Sequence, residues 1–281
     1  MATAEGKVPV FESASQAVKF LREHLRFVLG VAAIASAAQT LGFLTLGLSL
    51  PWMLLLGIIG AGAHAALLGV ALKGPEGAAA RLFGDGARVF AAMAMVGFFM
   101  AIISFMVLYV AMSVLIAPYA EQAQAAAQDN ERLMEIMNTT IAAQPSVITW
   151  ALVAGGVLLF LLTSRFFLAA PASVAEARIV VFASWRWTKG NLLRIAATRI
   201  VLLGPALILV GALQSIAGLA VGTPGGDPAA LAAAAQGNPV GFAVFYVVAG
   251  FIQLALYGGL EAGLAAYLYK GLRPPSASPP A

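Results

Sequence analysis

The chain has 281 residues, of which 61% are hydrophobic and only 10% are charged. That balance is far from a soluble globular protein and is typical of a chain that crosses a membrane several times. The absence of cysteine excludes disulfides, a thiol nucleophile and a cysteine-based zinc site. The net charge of +4 is modest, and the cations lie between apolar runs, so a nucleic-acid partner is not expected.

Residues 11–26 have the pattern of an amphipathic helix. Its apolar positions follow the helical period and are Val18, Leu21, Leu25 and Val28. Its cations form a second stripe and are Lys19, Arg22 and Arg26. Ser13 or Ser15 is the expected N-cap. We predict that this helix, in a cytoplasmic N-terminus, lies in the membrane interface. The alternative is a solvated helix that only sets the topology.

Apolar runs predict six transmembrane helices. No Lys, Arg, Asp or Glu lies between Phe27 and Leu72. As one helix this run would be roughly 69 Å long, whereas a bilayer core is about 30 Å thick. The chain must therefore fold back, and Pro51 marks the turn. Pro171 is expected to break or bend the end of the fourth span. The predicted spans, within a membrane domain of residues 27–270, are about 27–48, 51–72, 89–117, 146–168, 192–221 and 240–269.

The connections between the spans differ in character. Residues 73–88 are expected to form a short, glycine-rich polar loop that is basic at both ends. Residues 119–145 are the least apolar part of the chain and predict a helical excursion into solvent. The loop 222–239 carries glycine and proline at both ends. The tail 271–281 is of low complexity, so we expect it to be disordered.

The distribution of cations predicts the orientation. With six spans, Arg132 is the only one of the 16 Lys and Arg residues on the opposite side from the two termini. Cations concentrate on the cytoplasmic side of membrane proteins, so both termini are expected in the cytoplasm. Three basic segments, residues 19–26, 81–88 and 186–194, each precede an odd-numbered span. They fit either three repeated hairpins with interfacial helices or simple selection for cations in every cytoplasmic loop.

Residues 182–195 have the sequence FASWRWTKGNLLRI. This segment resembles a pattern in the membrane domain of bacterial membrane-anchored glycerophosphodiester phosphodiesterases and in its stand-alone inner-membrane relatives. The matching residues are Ser184, Trp185, Thr188, Lys189, Gly190, Asn191 and Arg194. Weaker matches are Pro171, Glu176 and residues 266–273. The resemblance implies a stand-alone helical bundle in the bacterial cytoplasmic (inner) membrane. It implies no phosphodiesterase activity, which belongs to a separate soluble domain.

Five residues of this region are candidates for binding lipid headgroups or a partner protein: Arg178, Trp185, Arg186, Lys189 and Arg194. In one continuous helix over residues 178–189, its three cations would share a face with Phe182. Guanidinium groups bind phosphates bidentately, and basic segments beside a membrane bind anionic headgroups. The alternative interpretation is a segment that only orients the chain and anchors it through tryptophan.

Four polar residues within or near the spans form a candidate intramembrane cluster: His64, Arg165, Arg199 and Glu261. A charge in a bilayer costs roughly 2.5–3.5 kcal/mol on insertion scales and usually faces a partner or water. We therefore expect Glu261 to pair with Arg165 or Arg199, either as a structural ion pair or as part of a polar pathway. His64 lies between small residues and is expected to be a packed, hydrogen-bonded histidine and not a proton relay.

No HExxH, GxSxG or P-loop motif occurs, and two histidines supply no metal site, so neither an enzyme nor a bound cofactor is expected. The sequence favours a non-catalytic integral membrane protein that contacts membrane lipids or a partner protein through a basic cytoplasmic face. The alternative is a transporter or lipid-moving protein with a polar site near Arg165, Arg199 and Glu261.

Overall fold

The computed structural model describes residues 7–47, 49–126, 129–221 and 237–273. Within these ranges the chain is helical and contains no strand, so the fold is an all-α bundle. Among the described residues, six helices are long and apolar enough to cross a membrane, which is the number predicted. Most of the loop 222–239 and of the tail 271–281 lies outside the described residues.

The chain divides into a larger unit, Met1–Ala94 with Arg165–Ala281, and a smaller unit, Met95–Ser164. A 3₁₀ turn at Ala117–Tyr119 joins the helix Leu82–Ile116 to the helix Ala120–Ala125, and a π-helical turn at Gln253–Gly258 joins the helix Pro239–Ile252 to the helix Gly259–Leu272. The helices of the described residues are α1 (Val10–Glu23), α2 (Leu25–Leu46), α3 (Leu50–Ala79), α4 (Leu82–Ile116), α5 (Ala120–Ala125), α6 (Asn130–Ala143), α7 (Pro145–Arg165), α8 (Ala169–Ala175), α9 (Phe182–Trp187), α10 (Leu192–Val221), α11 (Pro239–Ile252) and α12 (Gly259–Leu272).

In the larger unit, α1 and α2 together run antiparallel to α11 and α12. Successive contacts between these two pairs of helices link Phe20 to Gly263, Ser36 to Gly250 and Phe43 to Tyr246. A Cβ atom on Gly263 would lie 2.7 Å from Cδ1 of Phe20. The absence of a side chain at this position therefore allows α1 to approach α12 closely.

Helix α12 is the central helix of the larger unit. It packs against α1, α3 and α8, and residues 262–266 are all buried. The small and apolar residues of its middle turns fit such a position. Near its end, Lys270 Nζ donates a hydrogen bond of 2.8 Å to the Ala71 carbonyl. That carbonyl lacks its usual helical donor because Pro75, four residues later, has no N–H. The ends of α12 and of the first part of α3 therefore lie side by side.

The prediction of a polar loop over residues 73–88 is wrong. A kink at Gly74, where φ is 80°, divides α3 into two helical parts, and α4 follows the second part almost at once. Asp85 is buried, and its carboxylate accepts hydrogen bonds from Lys73 Nζ at 3.1 Å and from Arg88 Nη1 at 2.8 Å. These charged partners replace the hydrogen bonds that a buried carboxylate loses from water. The segment is therefore a packed helical corner.

Helix α1 also differs from its prediction. Its N-cap is Pro9, so neither Ser13 nor Ser15 has that role. Ser13 is buried within the helix, as is Ala17, whereas Val18 of the predicted apolar stripe is 42% exposed. The reason is that α1 packs against α12 and α10. Small side chains permit that close packing, and the larger apolar side chain lies on the outer surface.

The smaller unit contains α5, α6 and most of α7, and α6 supplies the predicted helical excursion. The Asp129 carboxylate caps α6 by accepting a hydrogen bond of 3.1 Å from the Arg132 N–H. Helix α7 has 21 residues, about 31 Å at the usual helical rise, which matches a hydrocarbon core of about 30 Å. Helix α7 ends at Arg165, six residues before Pro171. Pro171 lies inside the next helix, α8, so it does not itself end the fourth span.

Candidate functional site

The predicted binding segment is not one continuous helix. Arg178 lies in a bend after α8, and α9 begins only at Phe182. The bend forms because the Ser173 hydroxyl donates to the Ala169 carbonyl at 2.7 Å and accepts from the Val180 N–H at 2.9 Å. The prediction that the three cations share one helical face with Phe182 is therefore wrong.

Three small polar residues of the segment hold its backbone in place, and all three are buried. The Thr188 hydroxyl lies 3.0 Å from the Ser184 carbonyl and 3.4 Å from the Arg165 carbonyl at the end of α7. The Asn191 side-chain oxygen accepts a hydrogen bond of 2.9 Å from the Val8 N–H. These contacts attach the segment both to α7 and to the start of the described chain.

Two of the five predicted binding residues have partners within the protein. Arg178 donates to one carboxylate oxygen of Glu176, from Nε at 3.0 Å and from Nη2 at 2.7 Å. Arg194 donates from Nη1 to the Val8 carbonyl at 3.3 Å. Both side chains therefore have structural contacts that compete with binding to an external anion.

The other three predicted binding residues are exposed, and the half-buried Arg165 lies beside one of them, Trp185. Trp185, Arg186 and Lys189 lie on the surface, and neither cation has a hydrogen bond or ion pair with a described residue. The Arg165 guanidinium carbon lies 5.3 Å from the centroid of the Trp185 ring, a cation–π contact. The Phe166 ring lies 5.4 Å from the same ring. We call Arg165, Trp185, Arg186 and Lys189 the basic–aromatic site.

The structure brings two residues of the predicted intramembrane cluster together. The Arg199 guanidinium carbon lies 4.9 Å from the centroid of the Phe167 ring. Arg199 also interacts electrostatically with Glu261 and Tyr257, so the structure brings Arg199 and Glu261 together. Arg165 is at the basic–aromatic site. His64 is half-buried in α3, and its side chain makes no hydrogen bond, ion pair or ring contact with the described residues, so the prediction that it is hydrogen-bonded is wrong.

Asp85 is a buried charged residue that no pattern in the sequence indicated. The sequence does place Arg88 three residues after Asp85, which is the spacing of an ion pair on a helix. The glycines on both sides of Asp85 indicated a loop instead, so this spacing was not interpreted as helical. Exposed apolar side chains beside the cations were also missed, among them Phe83, which is 93% exposed and two residues from Arg81. Such a pair on a surface next to a membrane is typical of an interfacial anchor.

The fold and its six apolar helices define a multi-pass membrane protein. The chain matches no protein-family model, no curated protein and no solved structure. The function is therefore inferred from geometry and charge.

Proposed function

We propose that the chain is a non-catalytic integral membrane protein whose basic end binds anionic membrane lipids. The observation that carries this proposal is a set of cations that make no hydrogen bond or ion pair with any described residue. These unpaired cations are Arg22, Arg26, Arg81, Arg165, Arg186 and Lys189. Each cation near an anionic membrane surface contributes about 1 kcal/mol of attraction.

Contacts within the larger unit bring the segments that carry these cations to one end. The Tyr267 hydroxyl donates to the Glu12 carboxylate at 2.9 Å, and this attaches α1 to the end of α12. The end of α3 is attached to α12 through Lys270. Cations at one end of a membrane bundle support a cytoplasmic position for that end. The proposal therefore includes both termini in the cytoplasm and a bacterial cytoplasmic membrane as the location.

A relationship to the membrane domain of the glycerophosphodiester phosphodiesterases is part of the same proposal. Its support is the residue pattern around Ser184, Thr188 and Asn191. In this chain those residues hold the backbone of the segment, so the pattern fits a shared fold and does not require a shared activity.

The proposal is tested by measuring the lipid shell of the full chain in nanodiscs that contain equal amounts of phosphatidylglycerol and phosphatidylcholine. The wild type is expected to enrich phosphatidylglycerol. Arg186→Gln with Lys189→Gln removes two unpaired cations, worth up to about 30-fold in local affinity, so the enrichment should fall. Arg132→Gln is the control because Arg132 belongs to the smaller unit. Equal occupancy of the two lipids around the wild type would refute the proposal.

Transport or lipid movement is a second candidate, favoured by the polar group of Arg199, Tyr257 and Glu261. Tyr257 lies in the π-helical turn, and such turns occur often at functional sites. Single cysteines at Gly258 and Ala262, beside Glu261, test this candidate in a chain without native cysteine. Labelling by a small water-soluble thiol reagent in intact membranes would support a hydrated pathway. Absence of labelling, with a labelled loop control, would leave a dry structural ion pair.

A further inference from the structure

We propose that Arg165, Trp185 and Lys189 form a stoichiometric site for the phosphate of one anionic phospholipid. This inference rests on the proposed function and deepens it, since general attraction of lipids to a basic surface needs no specific site. Its first observation is the state of Arg165. The guanidinium is held against the Trp185 ring, yet its N–H groups have no acceptor among the described residues. A guanidinium presents five such donors in a fixed plane.

The position of Arg165 along the chain favours a phosphate as the missing acceptor. It is the last residue of α7, whose 21 residues match the hydrocarbon core at about 30 Å. A side chain at that level is beside the phosphate groups of the bilayer. Trp185 is 41% exposed, and tryptophan concentrates at this same depth. Cation and ring are therefore held where lipid phosphates are.

Lys189 is the second cation of the proposed site because the backbone fixes its place. The preceding residue, Thr188, is hydrogen-bonded to the Arg165 carbonyl at 3.4 Å. The following residue, Gly190, has φ of 81°, a conformation that closes the turn and that other residues rarely adopt. The Lys189 side chain thus starts close to the end of α7, and its ammonium group is exposed and unpaired.

The local charge selects an anionic lipid over a zwitterionic one. Glu176 is the only acidic residue in the sequence from 165 to 194, and Arg178 occupies its carboxylate. No carboxylate of this segment is left to attract a choline group, while the exposed cations favour a net negative headgroup. The fork of a guanidinium binds two phosphate oxygens at once, and an ammonium group adds a point charge.

The test is native mass spectrometry of the full chain released from detergent micelles. The micelles carry phosphatidylglycerol or phosphatidylcholine, and a further sample has inorganic phosphate in the buffer. The wild type should retain one phosphatidylglycerol molecule. Arg165→Lys keeps the charge but loses the bidentate fork, so binding of the retained lipid should weaken about tenfold, the effect of one charge-assisted hydrogen bond. Trp185→Leu should weaken it as well. Arg132→Gln, which removes a cation of the smaller unit, is the control and should leave the retained lipid in place.

Two outcomes would overturn the inference. One is an Arg165→Lys variant that retains the lipid as the wild type does, because a point charge would then suffice. The other is displacement of the lipid by inorganic phosphate at equal concentration, which would mark a site for free phosphate. Thermal unfolding of each variant separates lost binding from lost folding. If the wild type enriches phosphatidylglycerol in nanodiscs but Arg165→Lys retains the lipid as the wild type does, only this inference fails. If the wild type shows no enrichment, the proposed function fails as well.

Discussion

Replacing Asp85 by alanine removes a buried carboxylate that joins two helices. Lys73 and Arg88, both bonded to it, would remain side by side without their shared acceptor. Breaking a buried ion pair costs about 3–5 kcal/mol. Here the two cations are 22% and 30% exposed, so water can partly replace the carboxylate. We therefore expect a loss of about 2–3 kcal/mol in the free energy of unfolding.

The assay is reversible unfolding of the full chain in mixed micelles, followed by circular dichroism. Glu23→Ala is the matched control, because Glu23 also pairs with a lysine, Lys19, at 3.8 Å, but both side chains are more than half exposed. Loss of an exposed pair costs less than about 1 kcal/mol. If Asp85→Ala is no less stable than Glu23→Ala, then burial of the carboxylate does not make the pair important for stability, and the reasoning is refuted.

Two further predictions concern the packing of α1 on α12. Gly263→Leu places a side chain where the Phe20 ring lies, and overpacking of this kind costs about 1–3 kcal/mol; the same unfolding assay should show it, and unchanged stability would contradict the close approach of the helices. The hydrogen bond from Tyr267 lowers the pKa of the Glu12 carboxyl, so its stabilisation is complete above the unfolded pKa of about 4.3 and is lost as the pH falls through the lower folded value. Glu12→Gln should therefore reduce the loss of stability on acidification, and an identical pH profile would argue against this contribution.

Six spans could be predicted because long apolar runs and their charged ends are local properties of the sequence. The corner at residues 73–88 could not. Glycine and proline there indicate a loop by local rules, but a contact between Lys73 and Asp85 and the donation from Lys270 stabilise helical structure. Lys270 is far along the chain from its acceptor, and Lys73 and Asp85 meet across a turn. A pattern of neighbouring residues therefore cannot reveal either contact.

The candidate site shows the same limit. Trp185, Arg186 and Lys189 were found because their residue types are unusual between apolar runs. The engagement of Arg178 by Glu176 depends on a bend that Ser173 stabilises. The contact of Arg165 with the Trp185 ring depends on α7 ending at Arg165 itself, which no local pattern of residues indicates. Prediction therefore succeeded for composition and failed where the backbone changes direction.

The three basic segments share more than charge. At each of the three segments an exposed apolar side chain lies within two residues of an unpaired cation, in the pairs Leu25–Arg26, Phe83–Arg81 and Trp185–Arg186. Selection for topology during insertion requires the cations but does not require exposed apolar neighbours. A role in lipid binding requires both, because the apolar side chain enters the interface while the cation attracts phosphate. The recurrence therefore favours a role that continues after insertion is complete.

This distinction yields a final prediction, since a charge can be restored after the protein has folded. Arg186→Cys creates the only thiol in the chain. Modification of the purified, folded variant with an aminoethyl thiosulfonate returns a cation, whereas the methyl reagent adds a neutral group of smaller size. If the cation acts on lipids in the folded protein, only the aminoethyl label should restore phosphatidylglycerol enrichment in nanodiscs. Equal enrichment with both labels would mean that the charge of Arg186 matters during insertion alone, and its place in the basic–aromatic site would be lost.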